Sequence, residues 1–134
     1  MGRSRLILVD THIVVWLASD SGRLSKKATA AIDDARQNGG LAICAITLLE
    51  LARLSSEGRI LVDVGLEAFL QEVEARFVVL PITGRACVRT LALPPTYPKD
   101  PADRLIGATA LVEGLALITA DREIRRTKAV RTIW

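Results

Sequence analysis

A chain of 134 residues, half of them apolar and a quarter charged, has the size and make-up of one globular domain, residues 1–134, and not of a disordered segment. Its two cysteines, Cys44 and Cys87, are too few for a disulfide framework or a structural zinc site, and each sits in an apolar stretch, so both read as buried reduced thiols. The net charge of +3 lies wholly in the last fourteen residues, where Arg122, Arg125, Arg126, Lys128 and Arg131 stand against Asp121 and Glu123; such a basic end suits a solvated face or a polyanion such as RNA.

The opening "MGRSRLILVDTHIVVWLA" places basic residues before an apolar run, as a signal peptide does. Asp10 and His12 interrupt that run and no small-residue cleavage site follows, so a cytoplasmic protein is expected. No window reaches the ~18 uninterrupted apolar residues of a membrane span. The first strand is "RLILV", residues 5–9, with Asp10 directly after it as a possible helix cap.

"LSKKATAAIDDARQNGG" reads as a helix capped by Ser25 and stopped by Gly39, and "LAIC" as a second buried strand. In "TLLELARLSSEG", Thr47 and Glu50 form a T-x-x-E capping box, which predicts a helix opening on Thr47 and ending near Gly58. The helix "GLEAFLQEVEA", the strand "FVVL" and the helix "TGRACVRTLAL", stopped by Pro94 and Pro95, come next. After the irregular loop "PPTYPK", Asp100 caps a helix over residues 101–113 that has Pro101 at its first position, Asp103 at its third and Gly114 at its end. "LALIT", a short basic turn "REIRR" and "VRTIW" complete the chain. The strand-like runs have little polar alternation, as in strands buried on both faces. The expectation is an α/β domain: a mostly parallel five-stranded sheet with helices on both faces.

In such a sheet, ligands bind where strands end and the next helices begin. Asp10 follows the first strand, Asp121 follows the fourth after one alanine, and Glu50 and Asp103 are each expected in the first turn of a helix. Each acid alone has a plain role as a cap, so capping and chemistry predict the same local geometry. Together they put four carboxylates at one edge. Two carboxylates about 4 Å apart repel by roughly 4 kcal/mol at an effective dielectric near 20, whereas a helix N-terminus offsets about 0.3–1 kcal/mol. Convergence therefore calls for protonation or a cation, and an all-oxygen set suits Mg²⁺ or Mn²⁺ and not zinc.

The motifs "LVDTH" with a following tryptophan, "TLLELARL" with "EGRI", "LPIT", "KDPADRLIGATA", "LALITAD" and the closing "IW" resemble, over essentially the whole length, a PIN domain of the VapC-type toxins of type II toxin–antitoxin modules. The resemblance implies a Rossmann-like domain that cleaves RNA with Mg²⁺ or Mn²⁺, with catalytic and metal-holding acids at Asp10, Glu50, Asp103 and Asp121. Thr119 matches a position where a hydroxyl organises the site, Asp100 is the flanking acid, and Thr11 adjoins Asp10. It also implies a small antitoxin that covers the cleft, and a homodimer; Trp16, Leu17 and "LLELARL" offer apolar surface to a partner. The chain departs from its relatives at Ala102 and Leu49, where aromatics are common, and at "YPK", where histidines often stand. None of these departures removes a carboxylate.

The resulting expectation is a metal-dependent endoribonuclease, with Lys99, Arg104, Arg122, Arg125, Arg126 and Lys128 as candidates for steering RNA phosphates. His12 reads as a packing or supporting residue and Tyr97 as a turn residue. Two alternatives are a non-catalytic α/β binding module whose acids are only caps and a DNA-directed nuclease. An aspartyl phosphotransfer domain is disfavoured because His12 stands where a phosphohydrolase has its second acid.

Overall fold

The structure is a computed structural model that describes residues 6–60 and 63–134; Arg5, the first residue of the expected first strand, lies outside them. Five short strands, β1 (Ile7–Val9), β2 (Leu41–Cys44), β3 (Val78–Leu80), β4 (Leu117–Ile118) and β5 (Thr132–Ile133), form one sheet in the order β3-β2-β1-β4-β5. Every neighbouring pair is parallel. Side chains along a strand alternate between faces, and here both faces are dry. Leu8, Ala42, Cys44 and Leu117 enter one core, whereas Val9, Leu41, Ile43 and Ile118 enter the other.

Among the described residues, seven α-helices close the layers: α1 (Thr11–Ser19), α2 (Lys26–Asn38), α3 (Ala45–Ser56), α4 (Leu66–Arg76), α5 (Gly84–Thr90), α6 (Pro101–Glu113) and α7 (Arg122–Thr127). Ile106 and Ala110 of α6 and Ile124 of α7 fill the first core; Ile13, Ile32, Leu51 and Val73 of α1 to α4 fill the second. Where end signals are local, the helices end as the sequence predicts. Ser25 accepts from the Ala28 N–H, Asp100 accepts from the N–H groups of Ala102 and Asp103, and Gly114 closes α6 in the left-handed region at φ 68°.

Three expectations need correction. The third helix begins at Ala45 and not at Thr47, so Thr47 and Glu50 are its third and sixth residues and form no capping box. The fifth ends at Thr90, short of the prolines, where the chain tightens into three-residue turns with the N–H groups of Leu91, Ala92 and Leu93 bonded to the carbonyls of Val88, Arg89 and Thr90. Cys44 is buried but Cys87 is exposed.

Tyr97, in the loop before α6, is only 1% exposed and has its ring laid on Gly107. A Cβ at position 107 would lie 2.2 Å from the Tyr97 hydroxyl oxygen and 2.8 Å from its ring carbon. Gly107→Ala is therefore expected to destabilise the fold by about 1–3 kcal/mol through overpacking, despite alanine's ~1 kcal/mol better helix propensity. Urea unfolding checks this, and a wild-type or higher midpoint would refute it.

Candidate active site

The chain leaves β1 for β2 and β3 on one side, then returns to place β4 on the other side of β1. The order reverses between these two strands, and a crevice opens there at their C-terminal ends. Asp10 is the residue after β1, and its N–H bonds to the Ile118 carbonyl of β4 at 3.0 Å. Its carboxylate, 3% exposed, accepts the Thr11 N–H at 2.9 Å on Oδ1 and the Thr119 hydroxyl at 2.8 Å on Oδ2. The same Thr119 oxygen accepts the Asp121 N–H at 3.1 Å. One buried hydroxyl thus ties the end of β1 to the turn after β4.

Glu50 reaches the crevice from the second turn of α3. The Thr11 hydroxyl donates to its Oε1 at 2.5 Å. Since that hydroxyl has one proton to give, the Thr47 hydroxyl, 2.9 Å away, is the donor to the Thr11 oxygen. Thr47 is fully buried and reads in the sequence as a helix cap and not as a site residue, because its spacing to Glu50 mimics a capping box; its bond to Thr11 spans 36 residues.

Asp10, Glu50 and Asp103 line one cleft of about 290 Å³, together with His12, Trp16 and Arg59. Burial, then the Asp10, Asp100, Glu50 and Asp121 charges, push the Asp103 carboxyl up to about 7. Burial also raises Glu50, opposed by its bond from Thr11 and reinforced by Asp10. Asp121 stands at the edge of this group: its Oδ1 caps α7, accepting from Glu123 and Ile124 N–H. Asp100 acts as the cap of α6 and stays exposed. Asp103 differs from the other three, since no hydrogen bond reaches its carboxylate among the described residues.

His12 accepts the Ala120 N–H on Nε2 at 3.0 Å, so its ring proton is on Nδ1, which faces Asp10 Oδ2 at 3.7 Å. It supports the cleft from the side, with its edge on Trp16. Arg104 does not face a substrate. Its guanidinium is spent on the carbonyls of Thr90, Pro94 and Tyr97, holding the preceding loop against α6. Lys99, Arg122, Arg126 and Lys128 are exposed, Arg125 is half-buried, and none forms an ion pair among the described residues.

The donors fit a hard divalent cation in kind and in charge: oxygens only, from carboxylates that repel one another as they stand. Among the described residues, however, no three acidic, histidine or cysteine side chains are close enough to form a ready-made ligand set. A cation would have to draw Asp10, Glu50 and Asp103 inward, and Asp103, with its free oxygens, has most latitude to move.

An α/β sheet with an acidic crevice at its reversal point has its candidate site where open parallel sheets bind their ligands. The family model for the PIN domain matches residues 7–130, and the chain belongs to the PIN-domain family. It is 37% identical over 130 residues to Ribonuclease VapC22 of Mycobacterium tuberculosis, covering 96% of this chain and 98% of that protein. Among solved structures it resembles VapBC2 of Rickettsia felis bound to a promoter DNA fragment, with a TM-score of 0.73 and 16% identity over 95% of this chain and 96% of that one. It also resembles a toxin–antitoxin complex from Klebsiella pneumoniae, with a TM-score of 0.62 and 25% identity over 86% of each chain.

Proposed function

We propose that the chain is a Mg²⁺- or Mn²⁺-dependent endoribonuclease that acts in the cytoplasm as the toxin of a type II toxin–antitoxin module. The observation that carries this reading is the Asp10–Glu50–Asp103 cleft, where three elements distant in sequence bring like charges together with Asp103 left unpartnered. The 37% identity to a VapC ribonuclease supports RNA as the substrate. A divalent ion bound there supplies an activated water and neutralises charge on the phosphodiester. Asp10, held by Thr11 and Thr119, Glu50 and Asp103 would hold that ion once drawn together. Asp121 adds charge at the rim. Lys99, Arg122, Arg125, Arg126 and Lys128 hold the RNA backbone as an electrostatic surface; Arg104 leaves that group.

A groove of about 480 Å³, lined by the apolar Val14, Leu17, Phe69, Val73 and Phe77 and by the charged Arg36, Asp63, Glu72 and Arg76, supports the antitoxin of the reading. A homodimer has its support at the other edge, where Val78, Ile82, Val88 and Leu91 are 44–85% exposed on and after β3 and α5. Sedimentation of the purified chain tests that assembly.

Purified chain with Mn²⁺ is expected to cut single-stranded RNA, to leave DNA of the same sequence intact, and to stop when EDTA is added. Cleavage of the DNA would transfer the reading to a DNA-directed nuclease. Inert protein with no thermal response to Mn²⁺ would leave only a binding module.

A further inference from the structure

Among the described residues, Tyr97 presents a buried hydroxyl donor without a partner, within the electrostatic reach of Asp10, Asp103 and Asp121, and no hydrogen bond reaches the Asp103 carboxylate. The Tyr97 hydroxyl is buried and has no hydrogen-bond partner among the described residues. Leaving such a group unpaired costs roughly 1–3 kcal/mol, so a fold that keeps it without use is at a disadvantage to one carrying phenylalanine. Its oxygen occupies the spot that a side chain at position 107 would fill. Gly107 lies four residues after Asp103, on the same face of α6, and Cβ directions on a helix lean toward its N-terminus. The hydroxyl oxygen therefore lies over the turn of α6 between Asp103 and Gly107.

The surrounding charges agree. Asp10, Asp103 and Asp121 all act on the hydroxyl electrostatically and, with burial, keep it protonated and hence a donor. The residue is also fixed from behind. Its N–H bonds to the Pro94 carbonyl at 2.9 Å, and its own carbonyl accepts from Arg104 Nη2 at 3.2 Å. Glycine at 107 leaves the ring room to sit this close, and Arg104 keeps it there.

We propose that Tyr97 is a positioning residue of the acidic cleft, whose hydroxyl donates through one bridging water to the Asp103 carboxylate and so orients it toward the divalent cation. This rests on the nuclease reading above. A polar space between a phenol and several carboxylates gives a water the two to four partners it needs. The phenol does not touch RNA; it acts through Asp103.

The test is Tyr97→Phe, which keeps the ring on Gly107 and deletes only the donor. Expected are an unchanged or slightly higher melting temperature without metal, an RNA-cleavage kcat about tenfold lower with KM unchanged, and a Mn²⁺ midpoint in thermal-shift titration about three- to tenfold higher. A folded Tyr97→Phe protein with wild-type kcat and Mn²⁺ midpoint overturns the proposal and leaves the nuclease reading intact. Loss of kcat with an unmoved Mn²⁺ midpoint also overturns it, because the defect then lies elsewhere. If the wild-type chain shows no Mn²⁺ response, both readings fall. Should Tyr97→Phe not fold, Arg104→Gln, which releases the Tyr97 carbonyl without touching the ring, is expected to raise the Mn²⁺ midpoint in the same direction, and an unchanged midpoint overturns the proposal.

Discussion

Asp10→Asn is expected to lower RNA cleavage by on the order of 1,000-fold or more while the protein stays folded. The separation of the two effects follows from what surrounds the side chain. An Asn amide oxygen still accepts the Thr11 N–H, and its NH₂ group can donate to the Thr119 oxygen in place of the bond now running the other way. The local ladder between β1 and β4 is backbone and is untouched. What disappears is a charge that helps raise both Asp103 and Glu50, so the metal-free variant is no less stable than wild type. Expressing both forms in a bacterium and mapping new RNA 5′ ends reads the activity, and circular dichroism reads the fold. Wild-type cleavage by Asp10→Asn would remove Asp10 from the site.

The second large effect concerns pH. Asp103 has a folded-state value near 7 against about 3.8 when unfolded, and Glu50 shifts in the same direction. Between those two values the folded chain binds more protons than the unfolded one, so stability falls as pH rises. In EDTA the melting temperature is therefore expected to fall by several degrees from about pH 4 to about pH 8, with most of the loss as Asp103 ionises near pH 7. Partial exposure of Asp103 makes the effect smaller than the full shift would give. Mn²⁺ at pH 8 should restore the loss by mass action, since it binds the folded cleft and not the open chain. Asp103→Asn should flatten the slope and abolish most of the rescue. A pH-independent melting temperature in EDTA would show that the carboxylates do not crowd one another.

Elements specified by neighbouring residues were legible in the sequence; those specified by distant ones were not. Asp100, Pro101 and Gly114 fixed α6 to the residue because a cap, a first-turn proline and a left-handed stop act within a few positions. The burial of "LAIC" on both faces likewise followed from its uniformly apolar composition. Glu50 was found as a site acid, but its local environment was misread: the hydroxyl three residues before it bonds to Thr11 across the domain and not to the start of its own helix. Arg104 beside the "DPAD" motif read as a phosphate ligand, and only the folded loop shows three carbonyls already bonded to it. Tyr97 looked like a turn residue for the same reason. The glycine that receives its ring is ten positions away, and a single glycine inside a helix signals only weakly what lies against it.

The bond between Asp10 and Thr119 joins positions 109 residues apart. A ribosome making this chain emits Asp10 well before Thr119, so the growing polypeptide has no assembled crevice over that stretch of synthesis. At about 5–20 residues per second, several seconds separate the two events. On the nuclease reading, a protein that destroys RNA is thereby harmless to the message and machinery producing it until Thr119 and Asp121 have emerged, through chain topology alone.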